Sequence, residues 1–467
     1  MRICLVLEGS YPYVRGGVST WAHNYIQALE EHDFVLWCIG PEAKEKGNYQ
    51  YDFPDNVIEI HEFFLDEALN VPAPKKLQKQ KLFTVDEIAE HRKLLTGQLP
   101  ELDVLINLYS TKKTNINAFL MSDAFLNDVI EICETKYRYV PMAELFHSLR
   151  SMILPMLYMF SQDIPEADVY HSVSTGYAGL LSAIASVKKE KRFVLTEHGI
   201  YTREREEEII RAEWISPYLK QQWIDFFYML ANISYAQAGS VTSLFERAKD
   251  TQKELGCPPE KLKVIRNGIH ANRLTAIPLK EPDDFIDIGA IVRFHPIKDI
   301  KTLIYAFYEL KRTVENARLH ILGGIDDEQY YIECMDLIRT LNIEDIFIPG
   351  VVNVLEYMER LDFTVLSSIS EGQPLSVLES FAARRPCIAT DVGCCRELVE
   401  GTQDDRFGLS GFVVPPMHAE IMASSMKQLC LDRALRLEMG ENGRKRVQKY
   451  YVHQDMIKNY MTNYKEA

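Results

Sequence analysis

Residues 362–392, "DFTVLSSISEGQPLSVLESFAARRPCIATDV", contain the clearest strand–loop–helix–strand pattern of the chain. Two apolar runs end in polar turn residues, and apolar side chains recur at helical spacing between Leu375 and Ala382. Pro374 stands where the first turn of that helix should begin. Nearly continuous apolar strands that alternate with helices are typical of parallel sheets covered on both faces. The stretch therefore predicts an α/β fold.

The same alternation recurs in both halves of the chain. Helical stretches, such as residues 303–312 and 421–431, lie between apolar runs. The predicted strands are "RICLVLEG", "HDFVLWCIG", "LDVLINLYS", "ADVYHSVS" and "KRFVLTEHG" in the first half, and "FIDIGAIVRF", "ARLHILGG", "EDIFIPGVV", "DFTVLSSIS" and "PCIATDV" in the second. Two arrays of this kind indicate two Rossmann-like domains.

The break between the two arrays falls in residues 270–284, which contain prolines and charges but no periodicity. The predicted parts are an N-terminal Rossmann-like domain over 1–275 with an insertion around 60–165, a C-terminal Rossmann-like domain over 283–445, and a final helix over 446–467. We expect that helix to cross back and pack on the first domain. Residues 70–81 are basic and contain prolines, which favours a solvated loop.

Composition and charge narrow the class of protein. A chain of 467 residues is too long for one core, and 47% hydrophobic with 25% charged residues is typical of a globular protein. The formal net charge of −15 argues against a nucleic-acid partner. Nine cysteines without regular spacing indicate reduced thiols rather than disulfides or zinc. The start of the chain resembles no signal peptide, and no apolar run is long enough for a membrane span, so we expect a cytoplasmic, at most peripheral, protein.

One helix of the insertion has two interpretations. Residues 143–160 place apolar side chains at helical spacing, namely Leu145, Leu149, Met152, Met156 and Phe160. A membrane-surface or partner-binding helix is one interpretation. We favour a core or inter-domain helix kinked near Pro155, because such stripes usually face the protein's own interior.

The strongest candidate site lies in the opening stretch. Glu371 falls in its loop, and Glu379 follows eight residues later inside the helix. Unpaired amides at residues 372–375 would form a seat for a diphosphate at the helix N-terminus. Carboxylates on either side could accept hydrogen bonds from sugar hydroxyls. The alternative is a surface loop in which Glu371 is a charge at the helix N-terminus and Glu379 is solvated.

Two cations strengthen the binding interpretation. Arg293 and Lys298 share one loop, five residues apart, after the first strand of the second domain. Together they could neutralise a diphosphate in an otherwise acidic protein, although each could also be an ordinary surface charge. Ligands of α/β proteins bind at the C-terminal ends of parallel strands, which favours binding.

A glycine pair follows the first strand of the first domain, as Arg293 and Lys298 follow the first strand of the second. Gly16 and Gly17 follow the first strand but lack the G-x-G-x-x-G spacing of a dinucleotide site. They would let the backbone approach a ligand, with amides near Val18 and Ser19 facing it. The neighbouring Tyr11, Tyr13 and Arg15 could line a path for a second substrate, or simply be the surface residues of a tight turn.

Seven short stretches occur together in an order that resembles the retaining glycosyltransferases of family 4, which have the GT-B fold. They are "RGGVSTW", "TEHGIY", "VIRNGI", "VRFHPIKD", "ILGG", "FIPGVV" and "SEGQPLSVLES". The resemblance covers residues 1–460 except the region near 60–165, and Glu371 to Glu379 is its most specific element. More narrowly, "MRICLVLEGSYPYVRGGVSTW" and "LTEHGIYTRERE" resemble the cytosolic glycosyltransferases of Pel exopolysaccharide biosynthesis.

The resemblance assigns a role to each matching residue. It implies two Rossmann-like domains that face each other across a cleft, the first binding the acceptor and the second the nucleotide sugar. The catalytic residues would be His198, Arg293, Lys298 and Glu371, and the donor-binding residues Gly16, Gly17, Asn267, Gly372, Gln373, Pro374, Leu375 and Glu379. Candidates for acceptor binding are Tyr13, Arg15 and Arg203. His198 could instead be a buried, fully hydrogen-bonded histidine.

The implied reaction transfers a hexosyl unit from a UDP-sugar to a growing exopolysaccharide, and inner-membrane subunits of a synthase complex are the implied partners. No Asp-x-Asp follows a strand, so the sequence does not require a metal. The alternatives are a nucleotide-sugar 2-epimerase of the same fold and a non-catalytic nucleotide- or glycan-binding subunit. An NAD-dependent oxidoreductase is disfavoured because the dinucleotide glycine spacing is missing.

Overall fold

The computed structural model describes residues 1–74, 83–402 and 404–466. The chain forms two compact units. The first comprises the described residues of 1–243, 248–264 and 460–466, and the second comprises those of 244–247 and 265–459. Most of the basic stretch that we predict as a solvated loop, residues 75–81, lies outside the described residues.

The first unit is built on a parallel sheet, with strand order β3-β2-β1-β4-β5-β6-β7 in the described part of the chain. Its strands are β1 (Arg2–Glu8), β2 (Asp33–Gly40), β3 (Val57–Phe64), β4 (Val169–Ser172), β5 (Arg192–Glu197), β6 (Ser240–Ser243) and β7 (Leu262–Val264). Every side chain from Ile3 to Leu7 is fully buried, because helices cover both faces of the sheet at its centre.

Helices of the first half connect and cover these strands. They are α1 (Gly17–Gln27), α2 (Val85–Leu95), α3 (Leu102–Ile106), α4 (Ile116–Leu120), α5 (Asp123–Thr135), α6 (Met142–Phe160), α7 (Tyr177–Lys189), α8 (Tyr201–Arg211), α9 (Lys220–Gln237) and α10 (Glu246–Glu254). The predicted strand "LDVLINLYS" is wrong, since it forms α3 and a following π-helical turn. Its buried residues Leu102, Leu105, Ile106 and Tyr109 recur at the helical spacing of three, four and seven.

The insertion lies between β3 and β4 and contains α2 to α6. The five apolar side chains that define the stripe of α6 are all buried, which confirms the core interpretation. The helix continues through Pro155. Proline has no backbone N–H, so the carbonyl of Ser151, four residues earlier, lacks its usual helical donor.

The second unit is built on a parallel sheet with strand order β10-β9-β8-β11-β12-β13 among the described residues. Its strands are β8 (Ile286–Ile291), β9 (Ala317–Leu322), β10 (Ile346–Gly350), β11 (Phe363–Leu366), β12 (Cys387–Thr390) and β13 (Gly411–Val414). The remaining helices are α11 (Ala271–Thr275), α12 (Ile300–Lys311), α13 (Glu328–Thr340), α14 (Val354–Met358), α15 (Leu375–Ala382), α16 (Cys395–Glu400), α17 (Ala419–Leu431), α18 (Arg433–Tyr450) and α19 (His453–Glu466).

The C-terminal helical stretch is interrupted between α18 and α19. Ile269 donates its amide to the Tyr451 carbonyl and accepts from the His453 amide, and these bonds replace helical ones at the break. The end of α19 belongs to the first unit, where the Tyr464 hydroxyl lies 2.6 Å from His171 Nδ1 and accepts a hydrogen bond from the Tyr25 hydroxyl at 2.8 Å.

Two further properties concern membrane crossing and the state of the cysteines. No helix within the described ranges combines the length and apolar character needed to cross a membrane. All nine cysteines are free, and every one is buried except Cys133, which is partly exposed. Burial raises the pKa of the Cys387 thiol to about 12 and also raises that of Cys4, so these thiols stay protonated at neutral pH.

Candidate active site

The loop between β11 and α15 brings two of the predicted catalytic residues into contact. Lys298 Nζ donates to Glu371 Oε1 at 2.7 Å, and the Ser368 hydroxyl donates to the same oxygen at 2.6 Å. Lys298 reaches it from a single 3₁₀ turn, Pro296–Lys298, after β8. Both charged side chains are largely buried, with 19% and 12% exposed, so solvent screens this pair only weakly.

Hydrogen bonds tie this loop to the loop after β8. The Ile369 amide donates to the Ile297 carbonyl at 2.9 Å, and the Ser367 hydroxyl donates to the Lys298 carbonyl at 2.8 Å. These bonds fix the backbone on both sides of the lysine–glutamate pair. The pair is therefore held by main-chain geometry as well as by charge.

Gly393 allows a third loop to pack directly on the first one. Its φ is +53°, and a Cβ there would collide with the carbonyl oxygens of Glu371 and Gly372. The Cys394 amide donates to the Gly372 carbonyl at 3.0 Å. A left-handed glycine is required at this close approach.

Gln373 joins the same loop to Asn267 of the quoted stretch "VIRNGI". The Asn267 amide donates to Gln373 Oε1 at 2.9 Å, and Gln373 Nε2 donates to the Asn267 carbonyl at 3.0 Å. Both polar atoms of the glutamine side chain are thereby occupied. The buried Asn267 Oδ1 has no partner among the described residues.

The N-terminus of α15 has the properties of an anion seat. Pro374 occupies the N-cap position and makes no side-chain capping bond, so the amides of the first turn, beginning at Leu375, have no helical acceptor. Glu379 follows one turn later, and its carboxylate has no hydrogen bond or ion pair within the described residues. Burial raises the pKa of Glu379 to about 7. A partnerless carboxyl beside free amides is suited to a polar ligand.

Arg293 lies in the same loop as Lys298 but has a different partner. Its guanidinium forms an ion pair with Asp326, and half of the side chain is exposed. Gly323 permits this arrangement, because a Cβ there would collide with the carbonyl oxygen of Val292. Joint binding of a diphosphate by Arg293 and Lys298 stays a prediction.

In the first unit, His198 follows β5 and packs against Trp21 with the ring centroids 4.5 Å apart. Its Nε2 atom is buried and has no partner among the described residues, so the fully hydrogen-bonded alternative is wrong. Burial lowers the pKa of His198 to about 4, and the ring is neutral at neutral pH. The structure thus presents a neutral imidazole with a nitrogen free to bond.

The glycine pair lies at the start of α1. Gly16 is its N-cap residue in extended conformation, and a Cβ on Gly16 or Gly17 would meet no atom within 4 Å. Packing inside the protein therefore does not demand glycine at either position. The space in front of them is open, and occupation of that space by a ligand stays a prediction.

The predicted acceptor residues are surface groups with ordinary partners. The Tyr13 hydroxyl donates to Glu62 at 2.9 Å, and the exposed Arg203 lies 3.6 Å from the Glu254 carboxylate. Arg15 is exposed and lies 3.5 Å from the Gln50 carbonyl. Tyr11 is only 1% exposed, so it neither lines a substrate path nor lies at the surface of the turn, and both alternatives are wrong for this residue.

Sequence reasoning missed three residues that shape these regions: Trp21, Ser368 and Gly393. Trp21 closes the quoted stretch "RGGVSTW", so its position beside the glycine loop was the available signal. No group of three or more His, Cys, Asp or Glu side chains that could hold a metal occurs in the described ranges.

Two parallel Rossmann-like sheets, one in each unit, form the GT-B fold. The fold of Anabaena Alr3699/HepE in complex with UDP is similar, with a TM-score of 0.63, 14% identity and 100% of both chains covered. Sucrose-phosphate synthase from Thermosynechococcus elongatus gives a TM-score of 0.59 at 15% identity, covering 100% of this chain and 98% of that one.

The particular family follows from the sequence matches. Residues 1–260 match the family described as "Domain of unknown function (DUF3492)", and residues 276–446 match "Glycosyl transferases group 1". The chain belongs to the DUF3492 family, and its second unit carries a group 1 glycosyltransferase domain.

Curated relatives match over very different shares of the chain. The capsular polysaccharide biosynthesis glycosyltransferase CapM of Staphylococcus aureus is 23% identical over 400 residues, 81% of this chain and 95% of the relative. The N-acetyl-alpha-D-glucosaminyl L-malate synthase of Bacillus anthracis is 28% identical over 176 residues, 37% of this chain and 44% of the relative. The chain thus spans less than half the length of several relatives that it matches.

Proposed function

We propose that the protein is a retaining glycosyltransferase that moves a hexosyl unit from a UDP-sugar to a growing exopolysaccharide. The observation that carries the proposal is the contact between Lys298 and Glu371. It lies in the loop before a helix N-terminus with free amides and a partnerless carboxyl at Glu379. Cation, amides and carboxylates together fit a sugar joined to a diphosphate.

Each group has a place in this proposal. Lys298 and Arg293 bind the diphosphate, Glu371 accepts hydrogen bonds from sugar hydroxyls, and Glu379 accepts them from the ribose. His198 offers its free Nε2 to the sugar beside the reacting carbon. UDP in the complex with HepE, which has a similar fold, supports the choice of nucleotide.

The chemical problem is charge separation in the transition state. The bond between the anomeric carbon and the diphosphate oxygen breaks, leaving negative charge on the diphosphate. Fixed cations and amides stabilise that charge because they are oriented before the reaction begins. The acceptor hydroxyl oxygen bonds to the same face of the anomeric carbon, and its proton passes to the departing phosphate oxygen.

The biological setting is proposed on the sequence resemblance. We propose, from the resemblance to PelF of Pel exopolysaccharide biosynthesis, that the protein acts in exopolysaccharide synthesis, and the similarity to CapM agrees with this role. We propose cytoplasmic action beside inner-membrane subunits of a synthase complex, with no metal required.

The first test is thermal unfolding with UDP-, GDP- and ADP-glucose. A ligand at 100 times its Kd stabilises the folded protein by about 2.7 kcal/mol, so we expect a clear rise in Tm with the UDP-sugar. Lys298→Ala should reduce that rise because it removes the cation. Lys301→Ala is the matched control, since Lys301 of α12 pairs with Glu333 of α13, outside the site.

A transfer assay separates the alternatives. UDP release that depends on an added acceptor supports a transferase, whereas acceptor-independent conversion of the sugar indicates an epimerase. Binding without turnover indicates a non-catalytic subunit. Full transferase activity in a variant with both Arg293→Ala and Lys298→Ala would contradict the assigned roles.

A further inference from the structure

We infer that the first unit contains a second carbohydrate site, which holds the growing neutral glycan away from the reacting end. This inference rests on the proposed transferase function. The site is a cavity of about 410 Å³ between the N-terminal half of α6 and the connection from α8 to α9. A cavity of this size is within the range that holds small ligands.

Two tryptophans form one wall of the cavity. The Trp214 and Trp223 ring centroids lie 5.4 Å apart at an interplanar angle of 80°. Trp214 is 74% exposed, an unusual state for the largest apolar side chain. An aromatic ring of this kind offers a flat apolar face beside water, and the apolar face of a sugar ring can stack on it.

The residues of α6 that line the cavity are mostly polar, and some of their polar groups have no hydrogen-bond partner among the described residues. The buried Ser148 hydroxyl has no partner in the part of the chain that the structure describes. The carbonyl of Ser151 lacks its helical donor because of Pro155. Donors and acceptors that the protein leaves unpaired fit a ligand rich in hydroxyl groups.

The charges of the cavity favour a neutral ligand. One carboxylate and one guanidinium, Glu144 and Arg150, line it, and neither is ion-paired within the described ranges. Their formal charges cancel, which disfavours a phosphate or nucleic acid. A partner helix would need a continuous apolar groove, whereas serines and charged groups interrupt the apolar surface here.

Helix α8 connects this cavity to the region of His198, the candidate catalytic residue of the first unit. It begins three residues after His198 and ends three residues before Trp214. Its eleven residues rise about 16 Å, so the two ends are several sugar rings apart. A glycan held at both ends stays at high effective concentration between transfers. We therefore expect the cavity to favour oligosaccharides over single sugars.

The test is isothermal titration calorimetry of the full chain with maltoheptaose, cellohexaose and chitohexaose, and with glucose as the monosaccharide. We expect at least one oligosaccharide to bind ten times more tightly than glucose. Trp214→Ala should weaken that binding at least tenfold, and Trp214→Phe should restore most of it by keeping a ring. Tyr218→Ala is the control, because Tyr218 is a similarly exposed aromatic residue on the same connection but does not line the cavity.

The rise in Tm with UDP-glucose distinguishes a failure of the cavity inference from a failure of the proposed function. It also shows whether each variant is folded. Trp214→Ala should keep the wild-type Tm rise with UDP-glucose. No binding by any oligosaccharide, or equal binding by Trp214→Ala, overturns the inference while leaving the donor site intact. Absence of a UDP-glucose effect in the wild type overturns the proposed function and hence the role of the cavity in chain growth.

Discussion

Glu379→Gln tests whether a partnerless buried carboxyl serves the nucleotide. Burial raises the pKa of Glu379 from 4.5 to about 7, so the free protein is a mixture of protonated and ionised forms at neutral pH. A carboxylate that accepts two ribose hydrogen bonds must be ionised when the donor is bound. Binding therefore competes with protonation.

The size of the effect follows from that pKa. With a pKa of about 7, roughly a tenth of the protein is ionised at pH 6 and about nine tenths at pH 8. The apparent Kd is the intrinsic Kd divided by the competent fraction, so donor affinity should rise about tenfold from pH 6 to pH 8. Glu379→Gln should bind more weakly than the wild type at pH 8, with no such pH dependence.

Calorimetric titration with UDP-glucose between pH 6 and pH 8 measures how the apparent Kd changes with pH. Both phosphates of UDP-glucose are esterified, so the ligand keeps its charge over the range, unlike UDP, whose terminal phosphate titrates near pH 6. Glu356→Gln is the control, an exposed glutamate on α14 bonded to Asn353. Equal wild-type affinity at pH 6 and pH 8, or an equal slope in Glu379→Gln, would refute the reasoning.

Protein stability supplies an independent check on the same carboxyl. The folded state holds the Glu379 proton up to about pH 7, but the unfolded state loses it near pH 4.5, so stability falls as pH rises through this window. The loss reaches about 3 kcal/mol above pH 7. Without ligand, Glu379→Gln should have a higher Tm than the wild type at pH 8, and the difference should shrink towards pH 4.5.

Three further substitutions test packing. Gly393→Ala should lower the free energy of unfolding by more than about 1 kcal/mol, because Cβ collides with the Glu371 carbonyl at a left-handed position. Gly17→Val should change it by less than about 1 kcal/mol, since the space is open, but should impair transfer. Tyr464→Phe should cost about 2 kcal/mol, because it leaves the Tyr25 hydroxyl and His171 Nδ1 without partners. Urea unfolding measures the free energy of unfolding of each variant, and a transfer assay measures its activity. A larger loss of stability in Gly17→Val than in Gly393→Ala would contradict the steric argument.

Local sequence patterns were sufficient for most strands. They failed for one buried apolar helix and for one buried polar strand. "LDVLINLYS" is as apolar as a buried strand, yet its spacing is helical. The strand β6, "SVTS", was missed because it is polar. Its Thr242 hydroxyl bonds to that of Thr196 at 2.6 Å on the neighbouring strand, which makes burial of both acceptable.

The sequence indicated which loops carry the candidate residues, but not the hydrogen bonds that join those loops. Lys298 and Glu371 each follow a parallel strand of the second unit, and that position alone indicated a common site. The pairing of Gln373 with the backbone of Asn267 joins residues 106 positions apart. Such a bond depends on how distant loops meet, which no local pattern encodes.

The burial of the thiols has a practical consequence for labelling. With Cys133 as the one partly exposed cysteine, Cys133→Ser would leave a surface with almost no background for maleimide reagents. A single cysteine introduced elsewhere could then carry a fluorophore or a spin label at a known position. Pairs of such labels, one in each unit, would report the distance between the labelled positions.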